Sequence, residues 1–178
     1  RWSATVSWVR PPIGTASGDL YFVFGFDDSQ QLLRLSGGAW SLVVQTGVTL
    51  TNGATMNWFD GLFDARGGAL LFTGWSNQGG GLFRLQDGNL ELLTRYGAQN
   101  DEWRWFEAAF LHSAGGAVAK GIQGSQISRM TRIGAAGSSA TLLEGGRSLD
   151  LAAPTGIDWE AMSGGGSGAN LVFRAYSG

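Results

Sequence analysis

The sequence predicts an all-β fold, a β-propeller-like array of four-stranded antiparallel blades, with about 3.5 blades in its 178 residues. Three observations predict it. Short apolar runs recur at intervals near fifty residues, the runs are four to seven residues long and bounded by Gly-rich turns, and no segment carries the i, i+3, i+4, i+7 pattern of a helix. The units run roughly 5–47, 55–97, 103–146 and, in part, 157–178, as one β-repeat domain over 1–178 or as part of a larger propeller. An irregular β-sandwich is the other arrangement that such strands allow.

The first element of each unit is Asp19-Leu-Tyr-Phe-Val-Phe24, repeated as Ala69-Leu-Leu-Phe-Thr-Gly74, Ala117-Val-Ala-Lys-Gly121 and Asn170-Leu-Val-Phe-Arg-Ala175. Leu20, Leu70, Val118 and Leu171 are thereby spaced by 50, 48 and 53 residues. The second element, Leu32–Leu35, Leu82–Leu85 and Met130–Ile133, sets Arg34, Arg84 and Arg132 in register. The third, Ser41–Val44, Glu91–Thr94 and Thr141–Glu144, is followed each time by a glycine, at Gly47, Gly97 and Gly146. A fourth element precedes the first and pairs an aromatic with an acid: Phe59-Asp60, Phe106-Glu107 and Trp159-Glu160, with Trp8-Val9 as the imperfect earliest copy.

Turn chemistry punctuates these runs. Ser36-Gly37-Gly38, Arg66-Gly67-Gly68 and Asp87-Gly88-Asn89 supply the positive φ angles that tight hairpins require. This gives a mechanical reason for 30 glycines in 178 residues. Eight Trp and ten Phe suit the wedge between packed blades.

The order of an aromatic pair, a small-residue turn, Gly68-Ala-Leu-Leu-Phe72, Gly81-Leu-Phe-Arg84 and a Leu-rich strand ending at Gly97 resembles the tandem repeats of secreted bacterial propeller-like proteins. The resemblance covers roughly residues 6–178, and the third unit departs from it, because Ala117-Val-Ala-Lys120 lacks the Phe. It implies an architecture and an extracellular or envelope location rather than an activity, since propellers host many unrelated functions. Low lysine, no cysteine and the lack of an Asn-x-Ser/Thr sequon point to the same location.

Charge and motifs exclude several classes. Fourteen acids face twelve scattered cations, so there is no basic stripe for nucleic acid. No apolar run approaches the ~18 residues of a membrane span. Without cysteine and with His112 as the only histidine, no metal site and no cofactor is expected. There is no Ser-elbow and no P-loop, and Ser163-Gly-Gly-Gly-Ser-Gly168 reads as a hairpin connection. Asp27-Asp28-Ser29 and Asn100-Asp101-Glu102 are acidic loops that lack the spacing of a calcium loop. No catalytic residue is assigned.

The recurring side chains are the candidate sites. Asp60, Glu107 and Glu160, beside Trp58, Trp105 and Trp159, are candidates for ligand binding if their strand is the innermost of each blade. There the carboxylates would accept sugar hydroxyls or serve as an acid/base pair, and indoles would stack on sugar rings. The same residues would otherwise cap strands and pack between blades. Arg34, Arg84 and Arg132 are expected on the face opposite their flanking Leu and Ile, as structural ion-pairing groups or as an anion-binding ladder.

The expected function is a non-catalytic extracellular binding or assembly module, completed by further chain or by another subunit. A carbohydrate-binding propeller or a glycan-active enzyme using the repeated carboxylates is the alternative. The expected partner is another protein chain, or the remaining blades, pairing with the strand from Leu171 to Tyr176, and a glycan is a further candidate. Two copies of 3.5 blades would make seven.

Overall fold

The computed structural model describes residues 5–97, 103–112, 116–123, 127–134, 138–144, 147–148, 157–158 and 176–177. Among them there is no helix, and every sheet is antiparallel. The all-β expectation therefore holds. The chain divides into two compact units, 1–92 and 93–178.

The first unit opens with β1 (Trp8–Val9), β2 (Ile13–Gly14), β3 (Leu20–Gly25), β4 (Gln30–Ser36) and β5 (Ala39–Gln45), paired in the order β1-β3-β4-β5 with β2 also on β3. A second sheet follows as a plain meander of β6 (Met56–Arg66), β7 (Ala69–Ser76), β8 (Gly79–Gln86) and β9 (Asn89–Arg95). A third sheet runs β10 (Trp103–Leu111), β11 (Ala117–Gln123), β12 (Ile127–Ile133), β13 (Ser139–Glu144) and β14 (Arg147–Ser148). The short strands β15 (Ile157–Asp158) and β16 (Tyr176–Ser177) pair with each other. The expected Asn170–Ala175 strand lies outside the described residues.

Each predicted element within the described residues lands on a strand because its apolar run ends in a turn that a hairpin can use. Gly37-Gly38, Gly67-Gly68 and Asp87-Gly88 all have positive φ and close two-residue hairpins at β4–β5, β6–β7 and β8–β9. Asp87 is the one non-glycine residue with positive φ among the described residues.

The register repeats as well. Leu20 faces Leu35 and Tyr21 faces Arg34; fifty residues on, Leu70 faces Leu85 and Leu71 faces Arg84. In the third sheet Arg132 faces Val118, which makes Val118 the counterpart of Leu71 rather than of Leu70. The alignment slips because the β11–β12 connection is one residue longer than the β7–β8 connection. A second refinement concerns the earliest copy. Trp8 faces Gly25 as Trp58 faces Trp75, so Trp8-Val9-Arg10 matches Trp58-Phe59-Asp60, not Phe59-Asp60 alone.

The core of the first unit lies between its two sheets. Tyr21, Val23, Leu32 and Val44 from the first pack against Met56, Phe59, Leu70, Phe72, Phe83, Leu85 and Leu90 from the second. Phe72 is the hub, with ring centroids 5.4 Å from Phe59 and 5.9 Å from Phe83. Gln30 ties the sheets together, because its Oε1 accepts the Phe59 backbone N–H. Leu71 and Leu82, on the other face of the second sheet, are also fully buried.

Candidate functional site

The acids sit where a strand is locally distorted. β6 carries a bulge between Phe59 and Gly61, and β10 carries one between Phe106 and Ala108, so Asp60 and Glu107 are each the extra residue of a bulge. A bulge leaves its extra residue out of the ladder and re-aims its side chain. Glycine faces the aromatic across the ladder in both cases, Gly74 opposite Phe59 and Gly121 opposite Phe106.

The two acids meet different neighbours. Glu107 forms a 2.8 Å ion pair with the buried Lys120. Asp60 is half-buried, and that burial pushes its carboxyl above the usual carboxylate range, while the charge of Arg10 and a hydrogen bond from Trp58 pull it back in part. Arg10 stands in register with Asp60 one repeat earlier, so the first sheet has a cation where the second and third sheets have acids. The Arg10 guanidinium lies 5.1 Å from the centroid of the Trp8 ring, close enough for cation–π attraction.

Trp58 and Trp105 hold equivalent places, and both are about half exposed. Trp58 lies 6.1 Å from Trp8, centroid to centroid, with the rings inclined by 49°. Trp159 and Glu160 lie outside the described residues.

Beside this indole pair a cleft of about 370 Å3 is lined by Trp8, Trp58, Asp27, Asp28, Gln30 and Asn57 among others. Asp27 is oriented by the Ser7 hydroxyl, which donates to its Oδ1 at 3.1 Å. Gln30 is buried, and its Nε2 has no hydrogen-bond partner. Its lining carries no cation. Sequence reasoning weighed Asp27 and Asp28 only as a weak calcium loop and passed over Gln30 and Asn57. The one signal that could have found them is the Trp8 and Trp58 register, which marks where two strands bring their ends together.

The repeated arginines have separate fates. Arg34 pairs with Asp19 at 2.7 Å and Arg84 with Glu91 at 2.6 Å, while Arg132 is exposed on β12. The Asp19 carboxyl is held below its usual value, first by a hydrogen bond from the Ser36 side chain and then by Arg34, whose own value rises in return. Arg34 and Asp19 share a second cleft, of about 600 Å3, with Asp64 and Arg66, themselves 3.6 Å apart. Each cation there has a carboxylate beside it. Among the described residues no three His, Cys, Asp or Glu side chains group as metal ligands, and no helix is long and apolar enough to cross a membrane.

Comparison with models of known protein families gives no match, and neither does comparison with curated proteins.

Proposed function

We propose that this chain is a non-catalytic β-propeller-type module, extracellular or associated with a bacterial envelope, that serves binding or assembly. The observation that carries this reading is the recurrence of one meander in one register, with Trp8, Trp58 and Trp105 at the same place in successive sheets. Repeated four-stranded antiparallel sheets are the units of which propellers are built, and a closed one uses about four to eight blades. The repeats read in the sequence number fewer, so the remaining blades come from further chain or from another subunit. The pairing of Glu107 with Lys120, and the siting of Asp60 beside Arg10, support a structural use of these charges over acid/base chemistry. The resemblance to secreted bacterial repeat proteins supports the location.

Sedimentation of the purified chain, alongside an assay for new reducing ends from a panel of polysaccharides, tests the reading. Self-association with no reducing ends is expected. Hydrolysis that disappears in Asp60→Asn overturns it.

A second reading, carbohydrate binding, is favoured by the Trp8–Trp58 cleft. A half-exposed indole offers a flat apolar surface to the C–H face of a sugar. Asp27, Asp28 and Asn57 offer acceptors and donors for hydroxyls. The acidic lining favours neutral saccharides. Titration with cello-, chito- and malto-oligosaccharides should shift tryptophan fluorescence, and Trp58→Ala should weaken the response at least tenfold. Silence across the three series removes this reading.

A further inference from the structure

Three departures from the repeat converge on Arg34. The first sheet has Asp19 where the second has Ala69, Tyr21 where the second has the fully buried Leu71, and Ser41 where the second has Glu91. Together they redirect the repeated arginine. Arg84 pairs with Glu91 on β9, whereas Arg34, which faces Ser41, pairs at 2.7 Å with Asp19 at the start of β3. Arg34 thereby stands on the wall of the cleft of about 600 Å3 between the β2–β3 turn and the β6–β7 hairpin. Tyr21 faces Arg34 across the ladder and lines the same cleft. This cleft and the one beside Trp8 and Trp58 share no residue and lie at opposite ends of the β3–β4 pair.

Within each ion pair of the cleft the carboxylate is the sheltered partner. The Asp19 and Asp64 side chains are 14 % and 15 % exposed, against 43 % for both Arg34 and Arg66. Their oxygens are engaged by the chain itself: Asp19 Oδ2 accepts from Arg34 and from the Ser17 hydroxyl, and Asp64 Oδ1 accepts the Ala65 backbone N–H at 2.9 Å. The donors are in surplus. Among the described residues Arg34 spends only Nη2, on Asp19, and the Tyr21 hydroxyl has no hydrogen-bond partner although the residue is 8 % exposed. A guanidinium with a spare edge suits a planar carboxylate. Two aspartates beside two arginines leave the cleft near neutral, so it tolerates a monoanion and disfavours a dianion. Apart from Tyr21, its apolar lining is glycine and alanine, which leaves room for a ring but makes no pocket for a large apolar side chain. Thr15 and Ser17 add hydroxyls, and the volume is that of a small-molecule site.

We propose that this cleft binds a uronic acid, a sugar carrying one carboxylate, with Arg34 as its anchor. The Arg34 guanidinium receives the carboxylate, the Tyr21 hydroxyl donates to it, and Thr15 and Ser17 meet the ring hydroxyls. The site goes beyond the neutral-saccharide reading of the Trp8–Trp58 cleft, and neither depends on the other.

Calorimetric titration of the 178-residue chain with galacturonate and glucuronate, carried to millimolar ligand, tests it, with circular dichroism to show that each variant keeps the β fold. At least one uronate should bind, and galactose, glucose, acetate and inorganic phosphate should bind at least tenfold more weakly. Arg34→Gln should weaken the uronate about tenfold or more, through loss of a charge-assisted contact. Tyr21→Phe removes a single oxygen from the cleft, keeps the buried ring, and should weaken it severalfold. Arg84→Gln, at the same place in the second repeat, should bind as the parent does. No binding of either uronate overturns the proposal. Acetate or phosphate held as tightly as the uronate overturns the sugar, and galactose or glucose held as tightly overturns the role of the carboxylate. Uronate binding that survives both Arg34→Gln and Tyr21→Phe overturns the assignment to this cleft. The neutral oligosaccharide titration, which reads Trp58, judges the other cleft separately.

Discussion

Gly74 lies so close to the main chain of Trp58 that a Cβ built on it would stand 2.2 Å from the Trp58 carbonyl oxygen. Gly121 meets the Trp105 carbonyl oxygen at the same distance. Both close approaches come where the ladder enters the bulge that carries an acid, so the glycine and the bulge are one device. Gly74→Ala and Gly121→Ala should each destabilise by about 1–3 kcal/mol, because the clash is with backbone and a rigid sheet must shift to relieve it. Gly61→Ala is the contrast, since its Cβ would meet nothing nearer than the Thr73 hydroxyl at 3.5 Å. Urea unfolding midpoints check the three, and equal midpoints for Gly74→Ala and Gly61→Ala would show that the approach is not a constraint.

Phe72 and Phe22 occupy equivalent places on their sheets, yet Phe72 is fully buried and Phe22 only partly. Phe72→Ala should cost about 3–5 kcal/mol through lost burial and the cavity it leaves. Phe22→Ala should cost less than half as much in dilute solution, measured by the same unfolding curves.

Asp60 and Asp19 should move stability with pH in opposite directions. Burial raises the Asp60 carboxyl above its ordinary value, so the folded state holds that proton more tightly than the unfolded chain. The cost of ionising it is fully present at neutral pH and is relieved as pH falls through the raised folded value to the unfolded one. Asp60→Asn should therefore stabilise at pH 7, by less than about 1 kcal/mol given its partial exposure, and change little near pH 3. Asp19 is depressed by Ser36 and Arg34, so its contribution is present above the unfolded value and is lost as pH falls through the folded one. Asp19→Asn should destabilise at pH 7, and the difference should close in acid. Thermal melts of both variants at the two pH values decide the signs.

Lys120 and Glu107 form a pair in which only the lysine is buried. Glu107→Ala should cost on the order of 1 kcal/mol, because it strips the 2.8 Å carboxylate contact from a desolvated ammonium. Lys120→Met in the Glu107→Ala background should recover most of the loss, since the thioether chain fills similar volume without the charge. A double-mutant cycle with zero coupling energy would remove the pair from the account of stability.

The repeat is legible along the chain alone. Alternating apolar runs and Gly-Gly or Asp-Gly turns are local properties, and they set strand positions, hairpins and the register of Arg34 with Arg84, because side-chain direction in a strand alternates strictly. The fate of each repeated side chain was not local. Trp8, Trp58 and Trp105 share a register, but Arg10 replaces the acid in the first repeat and Lys120 answers it in the third, so one motif yields three electrostatic settings. The bulges at Asp60 and Glu107 break the alternation on which sequence reasoning depends. Only the packing of one sheet on another decided which copy of a face is buried: Phe72 is covered by Tyr21 and Val23, and Phe22, at the equivalent place, meets Phe24 and Trp40 of its own sheet and stays partly exposed. Burial is a property of what lies opposite, and a repeat read along one chain does not say what that is.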